Sequence, residues 1–213
     1  TKDAWTLTQV YVTQPTDSLK TTGTLWFDQL KVSTHKVPNE GLFHDTSVQF
    51  RTESEIRTLV QGGVISGFPS GHFKPYTDLT RQQAAILIAR ALQLDVSDVK
   101  DPRFTDMAPT MTFYKEVAAV TEAGIIRGKE GGKMFDPNGK LTRAEMAAIL
   151  QRAFSLKGDG QSYFTDTKGS FAHDAINALA ANDITQGVGH GKFDTTSPIS
   201  RSDFSVFLYR ALY

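Results

Sequence analysis

The sequence contains no cysteine, which excludes disulfide bonds, thiolate metal sites and a cysteine nucleophile. It carries no excess of either charge, because 23 lysines and arginines balance 23 aspartates and glutamates. That balance argues against a nucleic acid or an anionic membrane surface as the partner. No apolar run approaches the roughly 18–20 residues of a transmembrane helix, so we expect no membrane insertion.

The chain also lacks an initiator methionine and a leader segment. We expect the C-terminal piece of a longer exported protein, monomeric as a fragment. Residues 6–13 and 24–32 alternate polar and apolar side chains and predict two antiparallel strands. Two strands alone are marginally stable, so we interpret residues 1–40 as the remnant of an upstream domain plus a linker. The segment around Trp26 resembles the closing strand of a jelly-roll, carbohydrate-binding-type domain, which makes Trp26 either a sugar platform or a core or inter-domain contact.

Catalytic and metal-binding patterns are missing as well. The five histidines occupy unrelated places, and no His-x-x-x-His or His-Glu-x-x-His pair is present. No glycine loop continues into the Gly-Lys-Ser/Thr of a phosphate-binding loop. We therefore predict no catalytic residue, no metal and no cofactor. The chain reads as a non-enzymatic segment, and an enzyme in the full-length protein would lie upstream.

What the sequence does contain is one short motif, three times, at residues 79–83, 141–145 and 199–203. Its second residue is a threonine or serine, and its fifth is a glutamine, glutamate or aspartate. This spacing predicts a helix N-cap closed by a capping box. The short side chain of Asp203 makes the third box the weakest.

An arginine follows the N-cap residue in every copy: Arg81, Arg143 and Arg201. A cation in the first helical turn faces the positive end of the helix dipole, which costs about 0.3–1 kcal/mol. The recurrence therefore indicates a role other than helix stability, and Arg143→Ala is expected to leave stability unchanged or slightly higher. A surface arginine whose stem packs on a neighbour is the alternative.

The same series of elements precedes each motif and completes a module. An aromatic-x-Asp element opens the module, and an amphipathic stretch with helical spacing follows. Glycine, or Asn182-Asp183 in the third copy, ends that helix, and a glycine loop comes next. Glycine there suits either a plain turn or the close approach of a ligand. The repeated positions are Asp45, Asp106 and Asp166 for the opening acid, Gly63 and Gly124 for the helix stop, and Gly67, Gly128 and Gly187 for the loop.

These residues, in this order and in three copies, resemble the S-layer homology family, and residues 141–145 match its Leu-Thr-Arg-Ala-Glu motif letter for letter. The resemblance covers residues 42–213 and implies a mainly α fold. Three tandem helix-loop-helix modules, at residues 41–98, 99–158 and 159–213, would form a pseudo-threefold spindle with a central three-helix bundle, preceded by the short two-stranded β segment. Grooves would lie between neighbouring modules.

The resemblance also implies a function: a non-covalent, extracellular cell-wall anchor that binds secondary cell-wall polysaccharide, typically through a pyruvate ketal on N-acetylmannosamine. An anionic ligand suits arginine, because a planar guanidinium pairs with a carboxylate through two hydrogen bonds. A helical-repeat module that binds another protein is the alternative, and it predicts an exposed apolar patch. The predicted ligand-binding residues are Arg81, Arg143, Arg201, Asp45, Asp106, Asp166, Gly67, Gly128, Gly187, Ser70, Lys133 and Lys192.

Departures from the family pattern rank the three copies. Gln83 replaces the motif acid in the first copy, while the third has Ser200 and Asp203 in its motif and no Phe-x-Pro. The tryptophan common in the family's first helix is absent from all three. We therefore expect the second copy, and the groove that it helps to form, to be the best match to the family's binding site and the third copy the poorest.

Overall fold

The computed structural model describes residues 41–47 and 50–213, which form six α-helices and one short 3₁₀ turn. The strands predicted at residues 6–13 and 24–32 lie outside these residues. The helices are α1 (Glu53–Gln61), α2 (Arg81–Ala91), α3 (Tyr114–Glu122), α4 (Arg143–Ala153), α5 (His173–Ala181) and α6 (Arg201–Leu212), and the 3₁₀ turn is Glu130–Gly132.

The second helix of each module begins at the predicted cap. In α4 the Thr142 side chain accepts the N–H of Glu145 at 3.2 Å, and the Glu145 carboxylate accepts the N–H of Thr142 at 2.9 Å. The same reciprocal box opens α2. In α6 the Ser200 hydroxyl caps the helix, but the Asp203 carboxylate accepts that hydroxyl and not the backbone N–H. The third box is half formed because the aspartate side chain is one carbon shorter.

The first helix of each module ends in left-handed backbone, as predicted. Gly63 and Gly124 both have φ of 71°. In the third module Asp183 takes this conformation, with φ of 57°. Glycine adopts it without a steric penalty, and aspartate tolerates it.

Three residues that precede the second helices form a closed ring of backbone hydrogen bonds. Leu79 donates to Ile199 at 2.9 Å, Ile199 donates to Leu141 at 2.8 Å, and Leu141 donates to Leu79 at 2.9 Å. All three side chains are fully buried. The ring relates the modules by a pseudo-threefold axis and brings the N-termini of α2, α4 and α6 together.

Backbone N–H groups that have no acceptor within their own helix donate to carbonyls of the neighbouring module at these N-termini. The N–H of Gln82 donates to the Pro137 carbonyl at 3.1 Å, and that of Ala144 donates to the Thr195 carbonyl at 3.1 Å. Thr195 therefore does what the proline does in the other copies. The missing Phe-x-Pro of the third module removes no contact here, because the carbonyl makes the bond.

Helices pair across modules rather than within them. The second helix of one module packs on the first helix of the next, as α2 on α3 and α4 on α5, and α6 returns to pack on α1. Their apolar stripes merge into one continuous core. The mainly α, three-module architecture predicted from the sequence is confirmed. None of the helices in the described part of the chain has the length and apolar character needed to cross a membrane.

Candidate ligand-binding grooves

The opening aspartate of each module holds the glycine loop in place. The two carboxylate oxygens of Asp106 accept the N–H groups of Phe135 and Asp136 at 2.8 and 2.7 Å. The second donor has left-handed backbone, with φ of 60° for Asp136, so the carboxylate stabilises a conformation that non-glycine residues seldom adopt. Asp45 and Asp166 clamp Phe73-Lys74 and Phe193-Asp194 in the same way.

Two of these clamps, at Asp45 and Asp166, lower the pKa of the aspartate. Burial alone would raise the pKa of Asp45, but the two backbone hydrogen bonds outweigh it and hold the pKa below its usual value. The same balance, with Lys192 nearby, lowers the pKa of Asp166. The backbone hydrogen bonds at Asp45 and Asp166 therefore favour the ionised carboxylate.

The first loop glycine is required by packing inside its own module. A Cβ at Gly128 would lie 2.5 Å from the ring of Phe104, and one at Gly67 would lie 2.2 Å from the ring of Phe43. Each of these rings packs in turn on the aromatic that ends the loop, with ring centres 5.3–5.5 Å apart. The aromatic-x-Asp element and the glycine loop are therefore one packing unit.

Each motif arginine crosses into a neighbouring module and lies under its loop. The Nε–H of Arg143 donates to the Phe193 carbonyl at 2.8 Å, and its guanidinium lies 4.7 Å from the Phe193 ring centre. Arg81 donates in the same way to Phe135, and Arg201 to Phe73. The three side chains are buried, with 4–7% of their surface exposed.

This burial corrects the expectation that Arg143→Ala would be neutral. Burial lowers the pKa of all three motif guanidiniums below the usual arginine value, and nearby carboxylates offset part of that shift for each. Each arginine supplies a donor to a buried carbonyl, so its removal leaves that carbonyl unpaired. The motif arginine is therefore a structural residue, whatever else it binds.

Three grooves lie where a motif arginine, a glycine loop and a second helix meet. We name each groove by its motif arginine. The Arg143 groove has a volume of 570 Å³ and is bounded by residues 185–188 and α6. The Arg81 groove (270 Å³) is bounded by residues 126–129 and α4, and the Arg201 groove (180 Å³) by residues 66–68 and α2.

The structure divides the predicted site residues into three groups. The arginines and the first loop glycines line the grooves: Arg81, Arg143, Arg201, Gly67, Gly128 and Gly187. The aspartates lie behind the loops as clamps. Ser70, Lys133 and Lys192 are exposed on the loops, outside the groove linings. A ligand-binding role for all twelve remains a prediction.

A second arginine lines every groove, and the sequence analysis missed it. Arg90, Arg152 and Arg210 occupy the same place in the last turn of α2, α4 and α6. Arg210 donates to the Ile184 carbonyl at 3.1 Å, and Arg152 donates to the Ile125 carbonyl. The signal was visible as an Arg-Ala-Leu or Arg-Ala-Phe triplet in all three copies.

Two aromatic side chains on groove walls were also missed. Tyr76 is 81% exposed and lines the Arg143 groove, and Phe171 is 76% exposed and lines the Arg81 groove. Exposed rings beside arginines suit a ligand that has both apolar faces and negative charge. No cluster of three potential metal-binding side chains occurs within residues 41–47 and 50–213.

Comparison with known proteins agrees with this geometry. Residues 52–85, 103–147 and 163–205 match the S-layer homology domain. The surface-layer 125 kDa protein of Lysinibacillus sphaericus is 34% identical over 163 residues, which are 74% of this chain and 14% of that protein. S-layer protein EA1 of Bacillus anthracis is 32% identical over 170 residues, 78% of this chain and 19% of its own length.

An endoglucanase from Bacillus sp. strain KSM-635 is 34% identical over 146 residues, 65% of this chain and 15% of the enzyme. The chain thus spans less than a fifth of the length of these relatives. It belongs to the S-layer homology domain family. This membership supports a cell-wall anchoring role for the segment rather than an enzymatic one.

Proposed function

We propose that the chain is an extracellular anchor that binds secondary cell-wall polysaccharide non-covalently, through a pyruvate ketal on N-acetylmannosamine. The observation that carries the proposal is the arrangement of three grooves around one axis, each lined by a motif arginine and by the arginine in the last turn of a second helix. The ketal carboxylate would pair with guanidinium groups in a groove that is partly shielded from water, where such pairs are strong.

The remaining groove walls suit a sugar. Tyr76 and Phe171 offer exposed rings to the apolar side of a pyranose. A polysaccharide repeats its charged unit along one chain, so weak binding in separate grooves adds up by effective concentration. An anchor therefore needs only modest affinity in each groove.

The alternative, a scaffold for another protein, requires an apolar surface that the modules do not use among themselves. The apolar stripes of the described helices are spent in the shared core. Of the exposed large apolar side chains, Tyr76 and Val188 share the Arg143 groove and Phe171 lines the Arg81 groove. We therefore favour the polysaccharide.

Sedimentation of the purified chain with three wall preparations tests the proposal. The chain should pellet with walls that retain the pyruvylated polymer and stay in solution with bare peptidoglycan. Walls from which mild acid has removed the ketal isolate the contribution of the carboxylate, and we expect little binding to them. Equal pelleting with bare peptidoglycan would refute the polysaccharide, whereas full binding after ketal removal would refute only the pyruvate.

A further inference from the structure

The third residue of each second helix lies in the groove of another module's arginine. Glu145 of α4 lines the Arg81 groove, Asp203 of α6 lines the Arg143 groove, and Gln83 of α2 lines the Arg201 groove. The N-cap contacts engage only one of the two terminal atoms of this side chain, so the other terminal atom is available to face the groove arginine.

In the Arg81 groove the second carboxylate oxygen of Glu145 already accepts a hydrogen bond from the arginine. Glu145 uses Oε2 for the Thr142 N–H at 2.9 Å, and its Oε1 accepts from Arg81 Nη1 at 3.2 Å. Arg81 Nη2 donates to the Arg127 carbonyl at 3.0 Å, and Nε is bonded to the loop. Every nitrogen of this guanidinium therefore has a partner inside the protein.

In the Arg201 groove the available terminal group of Gln83 is its NH₂, which is a hydrogen-bond donor. Gln83 uses Oε1 for the Thr80 N–H at 3.1 Å, which leaves its NH₂ group for the groove. Arg201 donates from Nε to Phe73 and from Nη2 to Ser66, and its Nη1 has no partner within the described residues. The lining of this groove includes Arg90 and no carboxylate. Its charged groups, the guanidiniums of Arg90 and Arg201, can only donate, and the NH₂ group of Gln83 is a further donor.

The Arg143 groove is intermediate. Asp203 is one carbon shorter than glutamate, and its carboxylate accepts the Ser200 hydroxyl at 2.8 Å. It forms no ion pair with Arg143 in the described structure, although its charge raises the pKa of that arginine against the effect of burial. Here the acid is near the guanidinium without occupying it.

We propose that the third helical residue decides which groove accepts the carboxylate of the ligand. Glu145 acts as an internal carboxylate that occupies Arg81, so an anionic ligand has to displace it. Gln83 leaves Nη1 of Arg201 without a carboxylate partner among the described residues, and the Arg201 groove is the primary carboxylate site. This inference rests on the proposed function, and it reverses the expectation that the copy with the complete family motif forms the best site.

Reciprocal substitutions test the idea with little risk to the fold. Glutamine and glutamate both complete the capping box, as α2 and α4 demonstrate, so Gln83→Glu and Glu145→Gln keep the helix starts intact. The Nε–H groups of Arg81, Arg143 and Arg201 are each bonded to a loop carbonyl and provide one nuclear magnetic resonance reporter per groove. The probe is the methyl glycoside of N-acetylmannosamine bearing a pyruvate ketal, titrated into the full chain.

We expect the Arg201 signal to shift first and the Arg81 signal to require at least about tenfold more probe, the ratio that corresponds to one modest charged contact. Gln83→Glu should weaken binding at Arg201 by about tenfold or more, and Glu145→Gln should strengthen binding at Arg81 by a similar factor. Thermal melts of both variants serve as the folding control, with Asp203→Asn as a matched third case that strengthens binding at Arg143 by a smaller factor.

Three results would overturn the inference. If the Arg81 signal shifts first, or if the reciprocal variants leave the order unchanged, the third helical residue does not select the groove while the proposed anchor stands. If the probe shifts none of the three signals, the proposed ligand fails and the inference fails with it.

Discussion

Replacing Arg143 with alanine is expected to lower the free energy of unfolding by about 1–3 kcal/mol. The substitution leaves the Phe193 carbonyl without its 2.8 Å donor, which costs about 1–3 kcal/mol for a buried acceptor. It also removes the guanidinium from the rings of Phe193 and Phe207, at 4.7 and 5.6 Å, worth about 0.5–2 kcal/mol.

Two gains offset part of this loss. Removing a cation from the first turn of α4 relieves about 0.3–1 kcal/mol of unfavourable dipole interaction. The energetic cost of burying the guanidinium, which lowers the pKa of Arg143, also disappears. The losses remain larger, because both partners of the arginine belong to another module and nothing replaces it there.

Thermal and denaturant unfolding of the full chain measure the effect, and a domain of this size loses about 2–4 °C of melting temperature per kcal/mol. Arg90→Ala is the matched control, because Arg90 is an exposed arginine on an equivalent helix and its loss should change stability by less than about 0.5 kcal/mol. If Arg143→Ala melts no lower than the parent chain, the loop contact contributes nothing and the argument from the helix dipole was sufficient.

Three further outcomes follow from the same contacts. The pKa of Asp45 and of Asp166 is lower in the folded chain than the ordinary value of 3.8, so the stability that these carboxylates supply is full above that pH and is lost as the pH falls below it. Changing both residues to asparagine should therefore flatten the fall in melting temperature between about pH 5 and pH 2. An unchanged dependence of melting temperature on acid pH would contradict the clamp. Gly128→Ala should lower the free energy of unfolding in denaturant by about 1–3 kcal/mol, because its Cβ would lie 2.5 Å from an aromatic ring. Gly158→Ala is the control and should be close to neutral, because the nearest neighbour of its Cβ would lie 3.8 Å away. Equal effects of the two substitutions would contradict the packing explanation. The isolated fragment 103–156 should show no cooperative transition by calorimetry, since α3 packs on α2 and α4 on α5; a sharp transition would mean that one module holds its own core.

Local chemistry explains what the sequence predicted well. The Thr142–Glu145 capping box, the left-handed stops at Gly63 and Gly124 and the buried stripes of the first helices depend on residues a few positions apart. Such features follow from capping, backbone sterics and periodicity, which act over one or two turns. The repeats then supplied the number and order of the modules.

The destination of the motif arginine could not be predicted in this way. Arg143 bonds to a carbonyl 50 positions away, and Arg201 to one 128 positions away, in the module that the ring places beside it. The repeated motif indicated that an arginine in the first helical turn has a role other than helix stability, but it did not show which contacts the arginine makes. Burial of the guanidinium emerges only when the modules close around the axis.

Sequence proximity to the loop glycines selected two lysines that do not line the grooves. Lys133 and Lys192 lie within the loops and are exposed, but they are not among the residues that line the grooves. Arg152 and Arg210, far along the second helices, line the grooves instead. The second helix in each groove wall presents its last turn to the loop of its own module, and the carbonyls that Arg152 and Arg210 bind lie 27 and 26 positions away, beyond the reach of a local pattern.

The pairing of α6 with α1 joins the third module to the first across almost the whole described part of the chain. Thr52 at the start of α1 shares a buried 2.9 Å hydrogen bond with Ser202 of α6, a contact that spans 150 positions. Without α6, the helix α1 would lack its packing partner, and the modules would have an unmatched edge at each end. Closing a loop over such a span costs conformational entropy, which the contacts between α6 and α1 have to offset. A chain that ended before Arg201 would lack α6, and α1 would have no packing partner although its own sequence is intact.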